Sequence, residues 1–362
     1  MKKEINIIEI DGRDVRYQSG IATYFDILAS YMPGHIKTFK IMFYYSPEIG
    51  EIKICEADGE LQIFHPDGFP SSVLFDAASR MIAEKLKSMK NIIIKSNCLG
   101  YEHFAYMLRN RFYCKTVGVL HCLPRKPPGM QMVNPFFNMD HIVLVCDCAK
   151  RYLSDVRNDR PYSVIYNGLP KVKVDTGLPK DDVFRFIFAN GWASLKGFTK
   201  IIPAIEKVAK KHRIEVVILG GTADQEKDIA AIHGLPIVNV GLVTESAVVE
   251  KYHAMSDCAL FASETEACSF AAISAIAHAL PVISTNAPGL VEIFGKSALY
   301  TELSDERKID SDKYAELMLH VIENKAARIK MGALGHSRYL KKYTAKKMAY
   351  DTVAVYEKLI GV

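Results

Sequence analysis

The chain is predicted to be an α/β protein with two doubly wound, mainly parallel sheets, and three observations carry that prediction. Short apolar runs alternate with amphipathic segments along nearly all of its 362 residues. That length exceeds what one ordinary hydrophobic core accommodates, so two domains are expected. Midway, residues 167–179 carry Gly168, Pro170, Gly177 and Pro179 with no helical period, which marks the boundary. Each side then has the size of one Rossmann-like domain.

In chain order, runs of β-branched, aliphatic and aromatic residues predict strands at 5–10, 38–45, 92–95, 116–120, 142–146 and 164–166 before the boundary. After it they fall at 184–188, 215–219, 237–240, 258–262 and 281–284. Helices are predicted at 21–32, 72–87, 200–211 and 312–324, where apolar residues recur every three or four positions. A final helix at 345–359 has no evident partner beside it in sequence. Residues 257–284 are the most informative: an apolar run, the acidic turn Ser263-Glu264-Thr265-Glu266, the small-residue helix 271–279 and a second apolar run. This is a βαβ unit whose helix N-terminus offers backbone N–H groups to an anion.

Composition narrows the function classes. Hydrophobic content of 49% and charged content of 24% are those of a folded globular protein. The formal charge of +5 suits an anionic ligand but is too small to argue for nucleic acid. No apolar run reaches the ~18 residues a membrane-crossing helix needs. Lys2 and Lys3 begin the chain, but Glu4, Asn6, Glu9 and Asp11 interrupt the apolar stretch of a signal peptide, so a cytoplasmic location is expected. Eight cysteines (55, 98, 114, 122, 146, 148, 258, 268) match no zinc spacing, and no metal or other cofactor is expected. Cys146-Asp147-Cys148 is not a C-x-x-C motif, and the thiols are expected to be reduced and mostly buried.

Ligand-binding loops of doubly wound sheets follow the carboxyl ends of strands. Four such loops carry chemistry here. Asn190-Gly191-Trp192-Ala193-Ser194-Leu195-Lys196-Gly197 follows strand 184–188, and its lysine at a glycine-flanked helix start can neutralise a diphosphate. A lysine before a helix is by itself more often merely solvated; Glu266, one loop over, shifts that balance. Gly20 opens the first helix after strand 5–10, where glycine permits close backbone approach, and His121 ends strand 116–120, where its imidazole can hydrogen-bond a substrate hydroxyl. Taken alone, each has an ordinary structural explanation as well.

The succession of the Gly20 loop, Val117-Gly118-Val119-Leu120-His121, Val164-Ile165-Tyr166-Asn167-Gly168, Gly191 through Lys196-Gly197, Leu219-Gly220-Gly221, Ser263-x-x-Glu266 and Pro281-Val282 through Gly289-x-x-Glu292 resembles the retaining GT-B glycosyltransferases of the group-1 type. That family includes bacterial mannosyl- and glucosyltransferases of polysaccharide assembly. The variant Glu266-Ala267-Cys268-Ser269-Phe270 is similar to a Bacteroides-type subgroup.

The resemblance implies a GT-B fold: two Rossmann-like domains facing across a cleft, 1–170 with the returning helix 345–362 as the acceptor domain and 171–344 as the nucleotide-sugar domain. It implies a retaining, metal-independent hexosyltransferase that takes a nucleoside-diphosphate sugar, UDP preferred over GDP, and a glycan, lipid-linked or protein acceptor. Lys196 and the amides of Cys268, Ser269 and Phe270 are expected at the diphosphate, Glu266 at the donor-sugar hydroxyls, and the base against Gly241, Leu242 and Val243. Gly20, Gly191 and His121 complete the expected site.

Two positions depart from the family pattern. Ser274 stands where a second glutamate normally holds the ribose, and Trp192 replaces a basic residue after Gly191. Arg185 or Arg125 would have to supply the missing cation, and Trp192 is either a core plug, the favoured reading, or a stacking platform. Glu264 is expected to be solvated, and Glu292 is a further candidate at the sugar. These losses raise an alternative, a weak or inactive partner subunit of another transferase. The basic residues Arg125, Lys126, Lys341, Lys342, Lys346 and Lys347 leave room for an anionic acceptor or peripheral membrane contact, a solvated surface being the plainer reading.

Overall fold

The computed structural model describes residues 2–14, 20–57, 59–66, 72–97, 101–123, 138–154, 160–174, 182–220, 234–243 and 245–362. The chain divides into two compact units, Met1–Asn167 with Ala345–Val362, and Gly168–Thr344.

The first unit contains β1 (Ile5–Asp14), α1 (Gly20–Tyr31), β2 (Ile36–Tyr45), β3 (Lys53–Ala57), β4 (Glu60–His65), α2 (Ser72–Ser88), β5 (Ile92–Ser96), α3 (Glu102–Phe112), β6 (Lys115–Leu120), β7 (His141–Leu144), α4 (Lys150–Ser154) and β8 (Tyr162–Val164). Its sheet runs β3-β4-β2-β1-β5-β6-β7-β8, parallel except for the edge pair β3–β4. Ile5, Ile7, Ile8 and Ile10 of β1 and Ile93 and Ile94 of β5 are buried. Such continuous apolar strands are what a sheet covered on both faces requires. The last helix, numbered α11 here (Ala345–Ile360), belongs to this unit, where Glu357 pairs with Lys2 at 2.6 Å and His35 at 3.2 Å.

The second unit begins with β9 (Phe184–Phe188), a 3-10 turn (Ser194–Lys196), α5 (Phe198–Ala209), β10 (Ile214–Leu219), β11 (Ile237–Gly241), α6 (Ser246–Met255) and β12 (Cys258–Phe261). It continues through α7 (Phe270–Ala277), β13 (Val282–Thr285), α8 (Pro288–Phe294), β14 (Ala298–Thr301), α9 (Ser311–Glu323) and α10 (Lys325–Lys342). All its strand pairs are parallel, in the order β11-β10-β9-β12-β13-β14. From β9 the chain winds outward to β11, then returns to β12 and winds the other way. The switch point therefore lies between β9 and β12, and the loops leaving these two strands flank the crevice where such sheets bind ligands.

The core beneath that crevice joins Phe186, Phe188, Ile201, Ile205, Ile218, Leu260, Ile283, Tyr314 and Met318. Trp192 belongs to the same cluster, 4% exposed, with its ring edge-on to Phe198 at 5.0 Å between centroids and Nε1 donating to Asn239 Oδ1 at 3.4 Å. Of the two readings of Trp192, the nucleotide-contacting platform is thus corrected and the core plug holds: its indole lies under the β9–α5 loop, because burying a large apolar ring outweighs leaving it at the surface.

Candidate active site

The β9–α5 loop turns tightly. Gly191 and Gly197 both adopt left-handed conformations, each with φ of +72°. At Gly197 a Cβ would stand 2.2 Å from the Ala262 carbonyl oxygen, so glycine alone lets this loop lie on the end of β12. Gly191 likewise abuts Gly220, where a Cβ would meet the Gly220 oxygen at 2.9 Å. The Glu264 N–H donates to the Leu195 carbonyl at 3.0 Å and stitches the two crevice loops together.

This stitching brings the predicted pair into contact. Lys196 Nζ donates to Glu266 Oε1 at 2.5 Å, and the same oxygen accepts from Ser263 Oγ at 3.1 Å and Asn190 Nδ2 at 3.2 Å. Asn190 Nδ2 also reaches Ser263 Oγ at 2.8 Å, and Thr285 Oγ1 holds the Ser263 carbonyl at 2.6 Å from the end of β13. Among the described residues no donor reaches Glu266 Oε2. The Glu266 side chain is 9% exposed and that of Lys196 29%. A half-buried ion pair of this kind is compensated at rest, and the ammonium, with three donors and 29% of its side chain exposed, keeps N–H groups that an arriving anion can take. Asn190 and Ser263 were passed over as site residues; the run of polar positions closing each strand was the available signal.

Gly289 fixes the far side of the Glu266 loop: a Cβ there would sit 2.0 Å from the Ala267 oxygen and 2.3 Å from the Glu266 oxygen. Just beyond, Ser269 caps α7, its side chain accepting from the Ala272 N–H at 3.3 Å. Cys268, Ser269 and Phe270 therefore stand at the N-terminal end of the helix beside the Lys196–Glu266 pair, where backbone N–H groups and the helix dipole favour negative charge. Ser274 lies one turn further along α7 and is 7% exposed.

On the neighbouring strand ends, Gly220 N–H donates to the Gly241 carbonyl at 2.7 Å and Gly241 N–H to Asn239 Oδ1 at 3.1 Å. Asn239 thus ties Trp192 to the Gly241 turn. Leu242, 59% exposed, projects from that turn.

Several expectations are corrected. Glu264 is not solvated: it pairs with Lys200 Nζ at 2.6 Å, and its side chain is 15% exposed. Arg185 cannot replace a cation at Gly191. It lies near the start of β9, the opposite end of the strand, and its Nε donates to Glu215 at 2.9 Å. Arg125 and Lys126 lie outside the described residues. Glu292, by contrast, is not among the corrections: it sits on α8, where its backbone carbonyl accepts from Arg338 and Tyr343 and its carboxylate takes no part in either contact.

In the first unit, Gly20 is the first residue of α1. His121 follows β6 and is half-buried, its ring edge-on to Tyr24 at 4.7 Å, with Nε2 enclosed and lacking a hydrogen-bond partner among the described residues. Burial, assisted by the Lys95 charge, lowers its pKa to about 3, so the imidazole is neutral at physiological pH. Behind it, Lys95 Nζ and Glu9 Oε1 form a buried pair at 2.9 Å, and the ammonium lies 4.6 Å from the Tyr24 ring centre.

Comparison with known proteins agrees with this architecture. Residues 173–338 match the family model described as glycosyl transferases group 1. A curated relative, the MMP alpha-(1->4)-mannosyltransferase of Mycolicibacterium hassiacum, is 24% identical over 216 residues, 58% of this chain and about half, 52%, of that protein's length. Among solved structures, a glycosyltransferase from Rickettsia africae superposes with a TM-score of 0.79 at 14% identity, covering 99% of each chain. Sucrose-phosphate synthase from Thermosynechococcus elongatus gives 0.75 at 15% identity, covering 99% of this chain and 100% of that one. Anabaena HepE in complex with UDP and glucose gives 0.75 at 13% identity, covering 97% and 99%. The chain is a GT-B protein, and its second unit carries a glycosyl transferase group 1 domain.

Proposed function

We propose that this protein is a retaining glycosyltransferase that moves a hexose from a nucleoside-diphosphate sugar, UDP preferred over GDP, to a glycan, lipid-linked or protein acceptor. The observation that carries this reading is the 2.5 Å contact of Lys196 and Glu266 at the switch point, next to the N-terminus of α7. A cation and helix amides at one point suit a diphosphate, and a carboxylate oxygen that takes no donor from the described residues suits sugar hydroxyls.

In the proposed reaction the sugar–phosphate bond breaks while the acceptor hydroxyl oxygen attacks the same face of the anomeric carbon, its proton passing to the departing diphosphate oxygen. Charge developing on the departing diphosphate is met by Lys196 Nζ and the amides at Cys268, Ser269 and Phe270, which act as preorganised donors rather than as a nucleophile. This charge stabilisation needs no metal, so turnover is expected to survive chelation with EDTA. Glu266, released by Lys196, holds donor-sugar hydroxyls. The base lies along Gly241, Leu242 and Val243, with Ser274 making a single hydroxyl contact to the ribose. His121, kept neutral, hydrogen-bonds a substrate hydroxyl.

The intact Lys196–Glu266 arrangement does not favour the inactive-partner alternative, because a silent subunit has no need to keep both charges in one half-buried contact. A screen of UDP- and GDP-sugars for slow donor hydrolysis tests the proposal. Release of nucleoside diphosphate from at least one donor is expected; silence across the panel, with a folded protein, contradicts it.

A further inference from the structure

Cys146 and Cys148 match no C-x-x-C spacing, yet the fold brings their sulfurs together. Cys148 Sγ lies 3.3 Å from Cys146 Sγ. The cause is the chain's exit from β7. Cys146 remains extended (φ −149°, ψ 153°) and precedes the 3-10 turn Asp147–Ala149, which the Ala149 N–H closes onto the Cys146 carbonyl at 3.3 Å. The fully buried Ala149 anchors that turn against the core. A disulfide requires about 2.05 Å between sulfurs, so the remaining gap is small enough for side-chain rotation with local adjustment of the turn to close.

The two thiols differ in access. Cys146 is 1% exposed, whereas Cys148 is half-buried and so the more accessible of the two. Elsewhere, burial pushes the Cys114 thiol up to about 12 and that of Cys258 higher still, which holds both protonated and unreactive.

We propose that Cys146 and Cys148 form a reversible redox modification site, oxidised by a low-molecular-weight disulfide such as oxidised glutathione. The Cys148 thiol loses its proton and attacks one sulfur of the reagent; the reagent's S–S bond breaks, and one glutathione leaves as thiol, taking up that proton. Cys146 then loses its proton and attacks Cys148 Sγ, displacing the second glutathione as thiol. The protein gives up two protons and two electrons, and one oxidised glutathione becomes two reduced ones. Cys148 is the attacking residue and Cys146 the resolving one. Leu144 of β7 pairs with Leu120 of β6, and His121 follows Leu120, so the modification falls one strand from His121.

The full chain is incubated at a series of glutathione redox ratios, quenched with acid, alkylated and digested with trypsin, which releases both residues in one peptide ending at Lys150. The expected peptide is unalkylated, lighter by two hydrogens, and returned to the doubly alkylated form by dithiothreitol. The Cys146→Ser variant should instead accumulate a glutathione adduct at Cys148. Recovery of the wild-type peptide fully alkylated, under conditions that glutathionylate the exposed Cys55, overturns the proposal. So does recovery of Cys148 bonded to a cysteine other than Cys146.

Discussion

Lys196 and Glu266, 70 residues apart in the chain, meet at 2.5 Å because glycine at position 197 lets the loop after β9 rest on the end of β12. The contact makes each charge the other's partner at rest. In the proposed function donor binding is an exchange, in which the ammonium turns from the carboxylate toward the diphosphate and the carboxylate becomes available to sugar hydroxyls. Glu266→Ala and Lys196→Ala should therefore fail differently. Glu266→Ala frees the ammonium and should leave UDP binding equal or tighter while donor turnover falls at least ~100-fold, the loss of a charge-assisted contact. Steady-state donor hydrolysis with calorimetric UDP binding separates the two effects, and equal loss of binding and turnover would contradict the exchange.

Gly197→Ala tests the geometry beneath the pair. The new Cβ meets the Ala262 carbonyl at 2.2 Å, in a backbone conformation that L-residues resist. A stability loss on the order of 3 kcal/mol is expected. Urea unfolding of the purified variant reads it directly, and a midpoint unchanged from wild type would show that the loop does not rest on β12.

Trp192 distinguishes plug from platform. Trp192→Phe keeps much of the apolar volume but forfeits the Asn239 contact, so stability should fall by about 1–3 kcal/mol. Nucleotide affinity should be retained. Thermal melts paired with UDP titration give both quantities; a large affinity loss at unchanged stability would mean the ring stacks on the ligand.

Buried histidines set the acid limit. Burial lowers His253 to about 4, helped by the neighbouring His278 ring, and His141 to about 4, helped by Lys358; His121 falls to about 3. An unfolded chain takes up these protons near pH 6.5, whereas the folded one does not, so stability present above 6.5 is lost as pH falls toward 4. For His253 alone the loss by pH 4 is on the order of 3 kcal/mol. Its ring stacks on His278 at 4.9 Å, with Nε2 enclosed and unpartnered among the described residues, so protonation finds no acceptor there. His253→Phe should reduce, by its own share and not wholly, the pH dependence of the melting temperature between 6.5 and 4, since His141 and His121 remain.

Much of this architecture was legible in the sequence, and the failures have physical causes. Buried parallel strands such as β1 and β9 announce themselves as apolar runs. The edge strand β3 does not: its residues Lys53, Cys55 and Glu56 are exposed, so no apolar signal marks it. The long helix α10 was also unreadable, because Gly332 and Gly335 weaken its helical propensity. Both are there for close packing: a Cβ on Gly332 would meet the Ala279 oxygen at 2.1 Å, and one on Gly335 would crowd Ile276 of α7. At the site, strand-end spacing located Lys196 and Glu266 individually. Their pairing, the burial of Trp192 and the Glu264–Lys200 bridge depend on how two distant loops pack, which periodicity does not encode. The local 3-10 turn also brought the sulfurs of Cys146 and Cys148 together, which their spacing alone did not show.

The central claim is that Lys196 and the start of α7 hold the diphosphate of a nucleotide sugar. Isothermal titration of UDP and GDP into wild type and Lys196→Ala tests it most directly. Saturable binding of at least one nucleoside diphosphate to wild type is expected, weakened at least ~10-fold by the substitution. No binding of either nucleotide, or equal affinity in the two proteins, would contradict it.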